Sequence, residues 1–170
     1  MGNKYRLYVY DLNEDNAKKC TAKKLAKFGL VKIVKNIRKI PNNSILLSPV
    51  SEKALSAEDA NIKNIVAVDC SWKNADKFFF NIRSKHKMRE RALPYLLPTN
   101  PTNYGKPFML STVEALAAAL YIFNEENHAR EILGKFKWGP SFIELNKLPL
   151  DEYKNAKNSE EIIEIMKEYY

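Results

Sequence analysis

One short run limits the folds open to this chain. Asn64–Val68 (NIVAV) is an almost uniformly apolar strand candidate, and a strand with no polar face needs cover on both sides. Upstream, Tyr5–Tyr10 (YRLYVY), Val31–Val34 and Ser44–Leu47 read as three more strands, rich in aromatic and branched residues. Helix-forming pieces lie between them. KKCTAKKLAKFG (18–29) has Thr21 as a cap, Leu25 and Phe28 on one face and Gly29 as terminator, and Leu55–Ala60 is a shorter helix. Strands alternating with helices, each strand ending in polar or turn residues, imply an α/β fold around a parallel five-stranded sheet, the fifth strand ending before Leu93. In such sheets ligands collect at the carboxyl ends of the strands. Thr21 lies beyond the first, Leu47 and Pro49 after the third, Val68 and Asp69 after the fourth, and Leu93 after the fifth. Asp69 is placed either for chemistry or to cap the next helix.

From Pro94 onward no strand pattern of comparable strength appears. Glu114–Phe123 is an alanine-rich helix, and Glu126–Phe136 carries Ala129, Ile132, Leu133 and Phe136 at helical spacing. Phe142 and Leu145 start a further turn or two, and Ser159 caps a helix with Ile162, Ile163, Met166 and Tyr170 inward. The expected organisation is an α/β parallel-sheet domain over 1–92 and a helical domain over 93–170.

The junction is the most unusual stretch. Leu93–Ala119 holds four of the eight prolines and then switches into a helix. Prolines this dense fix the backbone and forbid regular structure, which suits the wall of a ligand site. Ser111 and Glu114 form a capping box, the hydroxyl bonding the Glu114 amide and the carboxylate reaching back to the cap. The Thr112 amide is then free at a positive helix end, a place for a carboxylate or phosphate. A rigid loop capped for stability alone would have the same features.

Composition narrows the class. At 170 residues and 45% hydrophobic, one good core can be buried. No apolar run approaches membrane-spanning length, the N-terminus lacks the layout of a signal peptide, and Arg6 stands where a myristoylation signal wants Ser or Thr. Cys20, Cys70, His86 and His128 make neither a disulfide framework nor a transition-metal site. A reduced, cytoplasmic protein is expected. The net charge of +8 favours a polyanionic partner such as RNA. Lys18, Lys19, Lys23 and Lys24 crowd the first helix, and Arg83, Lys85, Lys87, Arg89 and Arg91 form the most basic window. Either group tracks phosphates or is ordinary solvated charge. Glycine-rich phosphate loops, a nucleophile elbow and a histidine triad are all missing from the sequence. What remains is an apolar slot, one carboxylate and two helix N-termini on a basic protein. An adenine suits a slot of Leu, Pro and Trp, and a carboxylate suits the Thr21 and Thr112 amides. S-adenosylmethionine carries both.

The runs VDCSW (68–72), RALPYLLPTNPTNYGKPFMLSTVEALAAAL (91–120) and FKWGPSFIELN (136–146), with the opening YRLYVYDLNEDNAKKCTAKKLAKFGL (5–30), resemble the small-subunit (18S-type) rRNA aminocarboxypropyltransferase family of ribosome biogenesis. The likeness is to an archaeal-type member, since the long acidic tail of eukaryotic ones is missing. A departure is Leu97-Pro98-Thr99, where small residues, often alanines, are expected. The resemblance implies a SPOUT-like fold with a deep trefoil knot. It implies S-adenosylmethionine as donor of its 3-amino-3-carboxypropyl group to ring nitrogen 3 of a (pseudo)uridine in small-subunit rRNA, with no metal. By the same resemblance, Leu47, Pro49, Trp72 and Leu110 surround the adenine, and the backbone of Leu93 and Phe108 reads its edge. The Val68 carbonyl takes the ribose hydroxyls, the Thr21 and Thr112 amides hold the carboxylate, and Trp72 and Ala75 enclose the methyl group. Asp69 is then the candidate base, with helix capping or electrostatic support of the sulfonium as its other roles. An RNA methyltransferase on a similar fold and a non-catalytic pre-ribosome assembly factor are the competing readings.

Overall fold

The computed structural model describes residues 2–11, 21–69, 79, 82 and 87–170. Strands β1 (Arg6–Asp11), β2 (Lys32–Val34), β3 (Ser44–Leu47), β4 (Asn64–Asp69) and β5 (Arg89–Arg91) form one sheet in the order β2-β1-β4-β3-β5. All four pairings are parallel, with β1 and β4 in register from Arg6↔Asn64 to Asp11↔Asp69. Helix α1 (Thr21–Lys27) lies between β1 and β2. Five more helices follow the sheet: α2 (Thr112–Ile122), α3 (Glu126–Leu133), α4 (Gly139–Leu145), α5 (Lys147–Asn155) and α6 (Ser159–Met166).

The apolar run that suggested a doubly covered strand is β4, and it is covered on both faces. Ile65 and Ala67 join the large cluster under the helices, while Val66 packs with Val34, Ile40, Leu46, Phe79 and Ile82 on the opposite face. The large cluster also contains Val9, Ile45 and Leu47 of the sheet together with Leu25, Leu116, Leu120, Ile132 and Leu150. One core therefore joins 1–92 to 93–170. The run of alanines at 117–119 is buried, which lets α2 approach the sheet closely.

Helix ends follow local chemistry. Gly29 takes φ 71°, the left-handed region open to glycine without strain. Its amide donates to Ala26 O at 3.0 Å and the Leu30 amide to Leu25 O at 3.0 Å, the paired bonds of a Schellman end. At Gly139 space decides: a Cβ there would sit 1.9 Å from the Leu133 carbonyl oxygen.

Several expectations are corrected. The fifth strand does end before Leu93, but it is formed by Arg89–Arg91 of the window read as surface charge, and Ala92 makes only an isolated bridge to Ala54. An edge strand needs backbone pairing more than apolar side chains, and Asp59 offsets part of the charge cost. Its fully buried carboxyl group accepts from Arg89 at 3.2 Å, from Arg91 at 3.1 Å and from the Ser56 amide at 3.2 Å. The helix expected over Leu55–Ala60 shrinks to a 3-10 turn at Ala57–Asp59. Helix α5 had no sequence counterpart, because Pro149 in its first turn reads as a breaker although a proline there loses no helical hydrogen bond. Tyr170 and Ile163, expected inward, are 75% and 40% exposed, and Phe28, placed on one face with the buried Leu25, is 54% exposed. The Phe28 ring faces outward beneath Lys135, whose Nζ lies 4.7 Å from its centroid.

The proline-rich loop before α2 is anchored in the core by Leu96, and polar groups fix the rest of it. The Ser111–Glu114 box is present: the Ser111 amide and hydroxyl donate to Glu114 Oε1 at 2.9 and 2.8 Å. Glu114 is fully buried and also accepts from the Thr99 amide at 2.7 Å and Asn100 Nδ2 at 2.7 Å. Asn146 clamps Leu97, accepting from its amide at 2.9 Å and donating to its carbonyl at 2.8 Å. Thr99 Oγ1 donates to the Trp138 carbonyl at 3.1 Å, and the Tyr153 hydroxyl to the Tyr95 carbonyl at 2.8 Å. Burial pushes the Tyr153 phenol well above its ordinary ionisation range, so it remains a donor. Glu114→Ala strands several buried donors, each costing about 1–3 kcal/mol. The variant should lose about 3 kcal/mol or more of unfolding free energy in urea titration; a loss below ~1 kcal/mol would remove Glu114 from this role.

Candidate functional site

A cavity of about 500 Å³ opens at the carboxyl ends of β3, β4 and β5. That is the end of a parallel sheet where strand geometry leaves a crevice, and the size suits a small organic ligand. One wall comes from the sheet: Leu47, Ser48, Pro49, Ala67, Val68 and Asp69. The facing wall is the pinned loop and the start of α2, with Leu93, Asn100, Asn103, Phe108, Leu110 and Thr112. Thr21 closes one corner, and Ile163 and Met166 of α6 lie at the edge.

The described residues expected to hold a donor therefore meet at one cavity: Thr21, Leu47, Pro49, Val68, Leu93, Phe108, Leu110 and Thr112, with Asp69 among them. Trp72 and Ala75 lie outside the described residues, as do Lys18, Lys19, Arg83 and Lys85. Lys23, Lys24 and Lys87 are described and exposed, and Lys24 Nζ stands 5.0 Å from the Phe136 ring centroid. Arg89 and Arg91 share one carboxylate, that of Asp59, which offsets one of their two charges and leaves Arg89 partly exposed.

The N-termini of α1 and α2 converge. Thr21 Oγ1 accepts from the Val113 amide at 3.2 Å, and Ser111 Oγ from the Glu114 amide at 3.4 Å. The second and third amides of α2 are thereby satisfied. Among the described residues no acceptor meets the first, that of Thr112. A polar corner of this kind beside the apolar surfaces of Leu47, Pro49, Leu93 and Leu110 fits a ligand with a flat apolar ring at one end and a carboxylate at the other.

Two features modify the simple picture. Phe108 has φ 67°, uncommon for a side chain of its size, and its amide donates to the Leu96 carbonyl at 3.3 Å. Its ring meets Tyr95 edge-on at 5.6 Å, and Tyr95 stacks on Tyr170 at 5.3 Å. Asp69 is buried and lies in register beside Asp11, also buried, so two carboxyl groups end adjoining strands. Sequence reading passed over Asp11, Asn100 and Asn103, and it assigned Met166 and Ile163 to core. The Asn-Pro-Thr-Asn turn within a proline-rich wall was the available clue to the two asparagines.

Among the described residues no helix is long and apolar enough to cross a membrane, and no group of three or more His, Cys, Asp or Glu could hold a metal ion.

A parallel sheet with a half-apolar cavity at its strand ends, one wall a loop pinned at a helix start, defines an α/β protein built to take a nucleotide-like small molecule. The family description "Ribosome biogenesis protein, C-terminal" matches residues 45–170. The 16S rRNA aminocarboxypropyltransferase of Methanococcoides burtonii is 47% identical over 165 residues, 97% of this chain and 95% of that protein. Its counterpart from Methanocaldococcus jannaschii is 46% identical over 96% of this chain and 95% of its own length. The solved structure of the SAM-dependent rRNA:acp-transferase Tsr3 from Vulcanisaeta distributa superposes with a TM-score of 0.83 at 39% identity, covering 94% of this chain and 88% of that one. The chain belongs to the 16S rRNA aminocarboxypropyltransferase family. A further description, "Possible Fer4-like domain in RNase L inhibitor", matches residues 5–39. Iron–sulfur clusters are held by several thiolates, and that stretch holds only Cys20.

Thr21→Val removes the acceptor of the Val113 amide while keeping the side-chain shape. It should cost about 1 kcal/mol in equilibrium unfolding, as lost helix caps do, whereas Thr21→Ser should cost less than half of that.

Proposed function

We propose that this protein transfers the 3-amino-3-carboxypropyl group of S-adenosylmethionine to ring nitrogen 3 of a (pseudo)uridine in small-subunit rRNA, in the cytoplasm, during ribosome biogenesis. The observation that carries the reading is the end-to-end likeness to proteins of that activity, together with a cavity lined by the described residues expected to hold the donor.

When bound, the donor supplies a sulfonium whose three attached carbons are all electrophilic. The chain's residues choose among them by orientation. Leu47, Pro49 and Leu110, with Trp72, form the slot for the adenine, and the Leu93 backbone faces its edge. The Phe108 amide joins in by exchanging its long bond to Leu96. The Val68 carbonyl receives the ribose hydroxyls. The Thr21 and Thr112 amides anchor the carboxylate, which fixes the chain of atoms leading to the reacting carbon. Trp72 and Ala75 enclose the methyl group and keep it from the RNA. Asp69 takes the imide proton from the nucleophilic nitrogen. The transfer then forms the nitrogen–carbon bond, breaks the carbon–sulfur bond and releases methylthioadenosine.

The two parts of the chain divide the work in this reading. Residues 1–92 carry 20 Lys and Arg against 9 Asp and Glu, whereas residues 93–170 carry 8 against 11. RNA phosphates belong on the first part, along Lys18, Lys19, Lys23, Lys24, Arg83, Lys85, Lys87, Arg89 and Arg91, the last two sharing the Asp59 carboxylate, which offsets one of their two charges. The helical part completes the donor site, and the deep trefoil knot of a SPOUT-like fold is the threading that would draw its loop across the strand ends.

Incubation with rRNA and donor labelled in the carboxypropyl carbons should put label into RNA with release of methylthioadenosine; methylated RNA with adenosylhomocysteine would instead assign a methyltransferase, and failure to bind the donor in calorimetry an assembly factor. Asp69→Asn should slow single-turnover transfer about 10²-fold with donor affinity nearly unchanged, in line with loss of general-base assistance. Equal losses in rate and affinity would take the base role from Asp69.

A further inference from the structure

The pinned loop brings to the cavity a carboxamide for which, among the described residues, the fold provides no partner. Asn103 is half-buried and lines the cavity. Its backbone is held on both sides: its amide donates to Asn100 Oδ1 at 3.0 Å, and its carbonyl accepts from the Lys106 amide at 3.0 Å. Asn100 is in turn bonded through Nδ2 to Glu114 Oε1 at 2.7 Å. Two hydrogen bonds thus reference Asn103 to the start of α2, the corner where the donor's carboxylate and its transferring arm belong. The polar neighbours of Asn103 are engaged within the fold: Thr99 Oγ1 donates to the Trp138 carbonyl, and Asn100 and Ser111 donate to Glu114. Among the described residues nothing hydrogen-bonds the Asn103 carboxamide. A side chain fixed at its root and unused at its tip is arranged for a ligand.

The chemistry of the acceptor says which part of the ligand. Removing a proton from the imide nitrogen of a uracil spreads negative charge onto the two flanking carbonyl oxygens. A neutral N–H donor aimed at one of them binds the base before reaction and binds more strongly as the charge develops. On the opposite wall Asp69 and Glu52 are acceptors that cannot play this part, and among the described residues the one buried hydroxyl without a partner there, that of Ser48, sits just past the end of β3 rather than on the loop beside α2.

We propose that Asn103 reads the target pyrimidine, its Nδ2 donating to a carbonyl oxygen next to the reacting nitrogen and stabilising the imide anion as the proton leaves. The inference rests on the reaction proposed above. It makes Asn103 both a specificity determinant, since the donor must meet a carbonyl oxygen, and a contributor to rate.

The test uses the full-length protein with rRNA and S-adenosylmethionine. Asn103→Ala should lower single-turnover transfer at saturating RNA by about 10²-fold, the loss typical of one donor to a developing oxyanion. Asn103→Asp, which keeps the shape and replaces the donor by an acceptor, should lower it at least as far. In both variants the calorimetric affinity for the donor should stay within about two-fold of wild type and the thermal midpoint should not move, because Asn103 makes no side-chain bond within the fold. Wild-type rates in either variant would overturn the assignment while leaving the reaction intact. So would rate losses matched by weaker donor binding or by a lower midpoint. Wild-type protein that leaves the RNA unmodified would overturn the reaction itself, and the role of Asn103 with it.

Discussion

A single buried carboxyl group holds the site together. Glu114 starts the helix it belongs to and at the same time receives the Thr99 and Asn100 groups of a loop that lies 14 and 15 residues upstream. Buried acceptors of this kind are stable only when their donors are all in place, since each missing partner leaves an unpaired polar group in a poor solvent for it. The loop and the helix start are therefore set as one object. Asn146 between α4 and α5, Tyr153 within α5 and the Trp138 carbonyl just before α4 fasten the same loop. A wall of the cavity is thus built from hydrogen bonds spanning half of the helical region, while the opposite wall is built by sheet pairing.

This division accounts for what could be read in advance. β4 was legible because Ile65, Val66 and Ala67 need cover on both faces, and the Ser111–Glu114 box because its partners stand three residues apart. Carboxyl-end positions such as Leu47, Pro49 and Val68 were legible because a parallel sheet directs ligands to that edge. The clamps at Asn146 and Tyr153 were not, because their partners lie 49 and 58 residues away and no local pattern marks them. β5 was hidden for a different reason: Arg89 and Arg91 look like solvated charge until Asp59 is placed beside them. α5 was hidden by Pro149, and the outward turn of Tyr170 by its lying beyond the last turn of α6, where helical spacing no longer fixes direction.

Electrostatics separates the two parts of the fold as clearly as secondary structure does. The sheet-bearing part holds the excess of Lys and Arg, and the helical part is slightly acidic. Asp59 is informative here, because it offsets one of the two charges on Arg89 and Arg91 and ties β5 to the Ala57–Asp59 turn. Basic residues near a site are then of two kinds, and burial of their partner distinguishes them.

The same logic bears on how selectivity arises with so few reactive groups. A sulfonium needs no activation by the protein, so the cavity's task is first of all to fix direction. Direction is a matter of rigid walls, and these are rigid because proline, a buried carboxyl hub and helix starts leave them little freedom. The cost falls on the polar groups locked inside those walls, which are unavailable for anything else. Asn103 escapes that cost: its backbone shares in the rigidity while its carboxamide stays free. A scaffold of this design can therefore place a catalytic donor to within hydrogen-bond tolerance without building a separate support for it.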